Sequence, residues 1–171
     1  MSPEALGRRL REVCRLSGEF TLRSGQVSTT YFDKYLFEAD PGLLWEIAAQ
    51  AAGLVPLGTE VLAGLELGGV PLATAISLVT DIPVAFVRKE AKTYGTAKLA
   101  EGHEVADRRV VVVEDVITTG GQVAASARAL RERGALIDWA VCVVDRSGGD
   151  HTILDAAHLS VASLFRFEDL A

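Results

Sequence analysis

The stretch VVVVEDVITTGGQ, residues 110–122, decides how this chain folds. Four consecutive valines with no polar alternation suit a strand buried on both faces, as in a parallel sheet. Glu114 and Asp115 follow at once, where the strand is expected to leave the core and bring its carboxylates to solvent. Thr118, Thr119, Gly120 and Gly121 make a small, flexible loop, and a helical pattern begins at Gln122. Strand, Thr/Gly loop and helix start together describe an anion site: successive backbone N–H groups and the threonine hydroxyls wrap a phosphate, and the helix dipole favours its charge. The acids do not suit a phosphate. They suit the hydroxyls of an attached sugar.

A second unit of the same kind precedes this one. Residues 60–64 read as a short strand, 64–69 (GLELGG) as a glycine loop, and 70–79 as a helix that is apolar almost all round and therefore buried. Two such loops at one end of a parallel sheet can hold two phosphate groups. Downstream, Val123, Ala127 and Leu130 face inward on a helix whose arginines, Arg128, Arg131 and Arg133, face out, and Gly134 ends it. Residues 83–87, 139–144 and 159–163 read as further strands. Upstream, Ser2 and Pro3 start a helix with Leu6, Leu10, Val13 and Cys14 on one face, and Asp40 and Pro41 start another that Gly53 is placed to end. Residues 18–34, rich in Gly, Ser and Thr yet carrying Phe20, Tyr31 and Phe32, read as a hairpin turning near Ser24 and Gly25. Strand and helix alternate, which implies an α/β fold with a central parallel sheet and ligand loops at the carboxyl ends of its strands.

Composition agrees with a single domain over residues 1–171, with 49% hydrophobic residues to build a core. No uninterrupted apolar run reaches the roughly 18 residues of a membrane span, and the N-terminus lacks the apolar core of a signal peptide. A cytoplasmic protein is expected. The net charge of −6 argues against general nucleic-acid binding. Cys14 and Cys142 read as buried hydrophobes, and His103, His151 and His158 share no metal-ligand spacing.

The run from Val110 to Gln122 resembles the PRPP-binding motif of the type I phosphoribosyltransferases, where PRPP is 5-phospho-α-D-ribosyl 1-diphosphate. The resemblance implies that Glu114 and Asp115 bind the ribose hydroxyls. It implies that Val116 and Ile117 belong to the PRPP site and that Thr118, Thr119, Gly120, Gly121 and Gln122 hold the 5′-phosphate. The GLELGG loop then supplies the pyrophosphate contacts through Leu65, Glu66, Leu67, Gly68 and Gly69. Some relatives carry a lysine in this loop; here Gly68 and Gly69 leave more of the binding to backbone amides.

Two further stretches resemble one branch of that family, the orotate phosphoribosyltransferases. TLRSG followed by the pair Tyr31-Phe32 is similar to the branch's N-terminal hood, mainly residues 18–36 here, and implies that Arg23, Tyr31 and Phe32 lie beside a pyrimidine. RKEAK, opening the polar stretch 88–102, is similar to its mobile catalytic loop. Lys92 matches the catalytic lysine, and Arg88 and Lys89 match pyrophosphate contacts. Tyr94 stands where a histidine is usual; it can donate a hydrogen bond but carries no positive charge. Asp145-Arg146-Ser147-Gly148 follows a strand, and Arg146, with Thr118, is implied in binding orotate. An arginine pairs with a carboxylate through two parallel hydrogen bonds.

The resemblance thus implies a type I phosphoribosyltransferase fold, with a parallel sheet of about five strands flanked by helices and a small N-terminal hood. It implies transfer of the ribose 5-phosphate group of PRPP to orotate, giving orotidine 5′-monophosphate and pyrophosphate, a step of pyrimidine biosynthesis. Lys92 and Asp115 would be its catalytic residues. Mg²⁺ is expected on PRPP itself, with no direct protein ligand, and the expected partners are PRPP, orotate and a second copy sharing the Lys92 loop, with no nucleic acid and no membrane. A phosphoribosyltransferase for another base, and a non-catalytic PRPP sensor, are the alternatives.

Overall fold

The computed structural model of the chain describes residues 1–21, 25–89 and 99–170. Ser2 caps α1 (Pro3–Cys14), its hydroxyl accepting from the Ala5 N–H at 3.3 Å. Leu6, Leu10 and Cys14 are fully buried along one face. β1 (Arg15–Thr21) and β2 (Val27–Phe32) pair antiparallel as a separate two-stranded sheet; this is the expected hairpin, begun at Arg15. A short α2 (Tyr35–Ala39) leads to α3 (Pro41–Ala51), where Asp40 Oδ1 accepts from the N–H groups of Gly42 and Leu43. Gly53 does not end α3. It sits inside a 3-10 turn, Ala52–Leu54, that prolongs the helix. The stop is Val55, held extended because Pro56 follows it.

The main sheet contains β3 (Val61–Leu65), β4 (Val84–Val87), β5 (Ala100–Gly102), β6 (Arg109–Ile117), β7 (Leu136–Asp145) and β8 (Ser160–Arg166), in the order β5-β4-β3-β6-β7-β8. All neighbours are parallel except β5, which runs antiparallel on the β4 edge. The helices α4 (Gly69–Thr80), α5 (Gly121–Arg131) and α6 (Thr152–Ala156) fill the crossovers. β8 completes the core sheet beside β7 and is not part of the hairpin layer. Val161 packs on one side of the sheet and Ala162 and Leu164 on the other, which requires helices on both faces.

The valine run separates two cores. Val111 and Val113 pack with α1, α3 and α4, whereas Val110 and Val112 pack with α5 and Leu154. The start of α4 is pressed against this strand: a Cβ at Gly69 would overlap the carbonyl of Val113, and one at Gly64 would stand 2.7 Å from the carbonyl oxygen of Gly69. Backbone cannot yield as a side chain end can. Gly69→Ala is therefore expected to destabilise the fold by about 2–3 kcal/mol, measured as a lower urea midpoint with unchanged slope. A midpoint equal to wild type would mean that α4 is free to shift.

Candidate active site

β3 pairs with β6 only as far as Gly64 and Val113, whereas β6 and β7 stay paired to Ile117 and Asp145. From β3 the chain crosses through α4 to one side of the sheet. From β6 it crosses through α5 to the other. Residues 114–117 thus have a free edge at the carboxyl end of the sheet, at the point where the strand order reverses and open α/β sheets bind ligands. On that edge two backbone donors turn to side chains: Asp115 N–H to Glu114 Oε1 at 3.1 Å, and Val116 N–H to Asp115 Oδ1 at 2.6 Å. The facing pattern slips here too, since Val116 joins the core of Val111 and Val113 while Ile117 joins that of Val110 and Val112.

The acids are not displayed to solvent as the strand-end reading expects. β6 runs on past them, and both are buried, Asp115 completely. Glu114 lines the cavity of the following loop; Asp115 points beneath Gly68, toward Lys34 and Glu38. Burial, and then the Asp115 charge beside it, push the Glu114 carboxyl up to about 9. Burial likewise lifts Glu38 to about 8, with Asp115 adding to the effect. Burial would also raise Asp115, but contacts from Glu38, Glu114 and Lys34 outweigh it and hold this carboxyl below its ordinary value. Burial and mutual repulsion thus favour a single anion in the cluster, at Asp115, set against the Lys34 cation.

Past the acids, Glu114, Val116 to Val123 and the start of α5 enclose about 300 Å³. Gly120 takes a left-handed φ of 77°, and a Cβ there would lie 2.5 Å from Leu154. Gly120 offers no side-chain cap to α5; the Gly121 N–H reaches Thr119 Oγ1 at 3.4 Å, and the amides of Gln122 and Val123 that follow suit an anion. A neighbouring cavity of about 240 Å³ shares Thr118 and Thr119 with the first and adds Arg146, Ser147 and Asp150. A third, of about 200 Å³, shares Arg146 and is walled by Tyr31, Phe32 and Phe167, with Ser28 and Thr30 adding hydroxyls. The three adjoin through shared residues, from the Thr/Gly loop to the aromatic hairpin.

Arg146 is fixed at its backbone and at its face. Its N–H donates to the carbonyl of Ile117 at 2.7 Å, and its guanidinium lies 4.3 Å from the centre of the Phe167 ring. Phe167 in turn meets Phe32 edge-on at 5.9 Å, and Phe20 tilts against Tyr31 at 5.5 Å. A planar cation stacked on one face keeps its donor edge for a carboxylate. His151 is part-buried, with Nε2 2.8 Å from Asp145 Oδ2, and Asp145 also accepts from the Ser147 N–H. These contacts hold the turn that follows Arg146.

The GLELGG loop lies across the crevice. Leu65 ends β3 in the core, Glu66 and Leu67 are exposed, Gly68 covers Asp115, and Gly69 begins α4. Glu66 Oε2 accepts from the Lys89 N–H at 3.0 Å, which links this loop to the end of β4. Glu66 and Arg88 line a further cavity of about 240 Å³, and among the described residues Arg88 Nε is buried without a hydrogen-bond partner. The Arg88 N–H donates to the carbonyl of Leu99 at 2.9 Å, so the polar stretch starts and returns at one point of the sheet edge. Arg23, Lys92 and Tyr94 lie outside the described residues.

Lys34, Glu38 and Phe167 are the site residues that the sequence reading misses. Lys34 follows Tyr31-Phe32 at a distance that hints at a role, but Glu38 and Phe167 carry no local signal. Burial raises the Cys14 thiol to about 11 and the Cys142 thiol further, so neither is a nucleophile.

Residues 42–157 match the phosphoribosyl transferase domain family. The orotate phosphoribosyltransferase of Nocardioides sp. is 61% identical over 144 residues, 84% of this chain and 80% of that protein. This chain belongs to the orotate phosphoribosyltransferase family. A solved orotate phosphoribosyltransferase from Mycobacterium tuberculosis H37Rv, in complex with Fe(III) dicitrate, superposes with a TM-score of 0.86 at 31% identity, covering 99% of this chain and 98% of that one. The same enzyme in complex with PRPP superposes at 0.79, with 28% identity over 98% of each chain. The parallel sheet with its flanking helices is thus the family's fold. Among the described residues, no helix is long and apolar enough to cross a membrane.

Proposed function

We propose that this chain transfers the ribose 5-phosphate group of PRPP to orotate. The observation that carries this is the line of adjoining cavities that runs from an uncapped helix start, past a buried acid, to an arginine stacked on an aromatic ring. Phosphate, sugar and a flat, carboxylate-bearing base need those surroundings in that order. The base nitrogen attacks the anomeric carbon, the bond to the pyrophosphate oxygen breaks, and its electron pair leaves with pyrophosphate. The nitrogen's proton is released.

No protein nucleophile is needed. The loop 118–122 holds the 5′-phosphate, Glu114 and Asp115 receive the ribose hydroxyls, and Arg146 reads the orotate carboxylate. Lys92, with Arg88 and Lys89, opposes charge growing on the leaving group. Arg88 fits that part, having a buried donor to spare. Mg²⁺ belongs to the proposal as PRPP's own counter-ion; arriving with that substrate, it would lower the charge to be displaced. The carboxyls at the end of β6 suit a sugar presented in that form. Residues 18–36 act as the hood and residues 88–102 as the loop that closes on PRPP, the latter shared between two subunits.

The test is loss of orotate absorbance with PRPP and Mg²⁺, with uracil and hypoxanthine as controls. Turnover of orotate alone is expected; equal rates on uracil would remove the carboxylate-reading role, and turnover of hypoxanthine only would reassign the base. Phe167 gives a finer prediction. Phe167→Leu loses the cation–π support of Arg146, worth about 0.5–2 kcal/mol. KM for orotate is expected to rise roughly 3- to 30-fold while KM for PRPP holds. Steady-state kinetics with each substrate varied checks this, and a parallel rise in both would show a general loss of structure.

A further inference from the structure

Lys34 occupies the junction of the two halves of the site. It stands two residues past Phe32, a wall of the aromatic cavity, and its ammonium lies 2.6 Å from Asp115 Oδ2 in the neighbouring sheet. The connection that carries it is pinned, since the Asp33 N–H donates to the Cys14 carbonyl at 2.8 Å and Asp33 Oδ1 accepts from the Tyr35 N–H at 3.1 Å. Glu38, one helical turn after Lys34, converges on the same carboxylate. A Cβ at Gly68 would overlap Asp115 and stand 2.6 Å from Glu38 Oε1, so the glycine loop closes over the cluster. Asp115 is fully buried while Lys34 is one-third exposed. Solvent therefore meets the pair on the lysine's side.

We propose that Lys34 is a positioning residue for sugar binding: it fixes the Asp115 carboxylate beside Glu114 and ties the aromatic hairpin to the phosphate loop. The inference rests on the reading of Glu114 and Asp115 as the acids that receive the ribose. The physical case is one of charge and connection. A buried carboxylate needs a cation or several donors to stay ionised, and among the described residues Lys34 is the cation paired with Asp115. The Asp115 backbone and Oδ1 already shape the free edge of β6, so a displaced carboxylate would disturb Glu114 as well. Because Lys34 and the base wall share one short stretch of chain, a base seated against Phe32 and a sugar seated against Glu114 are held in one register.

Lys34→Met keeps the length and removes the charge. In the wild-type background it is expected to raise KM for PRPP roughly 10- to 100-fold, the loss of one charge-assisted contact, with a smaller change in kcat. Lys34→Arg restores the cation and is expected to bring KM for PRPP back to within about threefold of wild type. Calorimetric titration of PRPP with Mg²⁺ checks the same affinity without turnover, and thermal unfolding gives Tm for each variant. A folded Lys34→Met with wild-type KM and PRPP affinity overturns the inference, as does a lowered Tm with those constants unmoved. Should Lys34→Met fail to fold, Lys34→Gln removes the charge while keeping an N–H donor for the buried carboxylate. A several-fold rise in its KM for PRPP supports the proposal and an unchanged one overturns it. Wild-type protein that binds no PRPP would sink the parent reading, which no result on Lys34 alone can do.

Discussion

Arg146→Ala is expected to raise KM for orotate by about two decades while KM for PRPP stays within a few-fold of wild type. Each hydrogen bond to a charged partner contributes about 1.5–3 kcal/mol, and an arginine fork makes two of them to one carboxylate. The site is built for such a fork. The guanidinium rests on Phe167, its backbone is bonded to Ile117, and the turn beyond it is held by Asp145, Ser147 and His151. Alanine removes the donors and leaves the walls of the cavity in place. Steady-state kinetics with each substrate varied in turn gives the result. A comparable rise in both KM values would mean that Arg146 shapes the site as a whole and does not read the carboxylate.

How much of this was legible in the sequence follows from where each signal lies. The Thr/Gly loop after β6 was readable because its strand, turn and helix start are contiguous, and the valine run has no other comfortable place than between two helical layers. The buried cysteines followed from periodicity. The burial of Asp115 could not be read, because it depends on β3 parting from β6 and on Lys34 and Glu38 arriving from some 80 residues upstream. Phe167 is another case: at the end of the chain, followed by Glu168 and Asp169, it becomes a wall of the aromatic cavity only through contacts with Arg146 and Phe32. β5 has no strand pattern of its own. Three residues, Ala100–Gly102, pair because β4 offers an open edge, and Gly102 adopts φ 90° to lie against Val84.

Mixing two inactive variants is expected to restore activity. On the proposed roles in a two-fold dimer, Lys92→Ala removes the loop cation and Arg146→Ala the fork that reads the base, so each variant alone should be nearly inactive at an orotate concentration near the wild-type KM. The loop that bears Lys92 begins and ends at one point, where the Arg88 N–H bonds the Leu99 carbonyl, beside Glu66 of the GLELGG loop. A segment of that length reaches on the order of 15 Å from its base when extended out and back, enough to cross a two-fold interface running along this edge. If the loop serves the neighbour's site, each heterodimer holds one site with both defects and one with neither. Random exchange makes about half the dimers heterodimers, so about a quarter of wild-type activity should return, by the symmetry of an isologous pair. If the loop serves its own site, every site keeps one defect and nothing returns. Exchange is verified by tagging one variant and recovering the other with it. Recovered heterodimer without recovered activity would rule out a shared site and leave Lys92 acting within its own subunit.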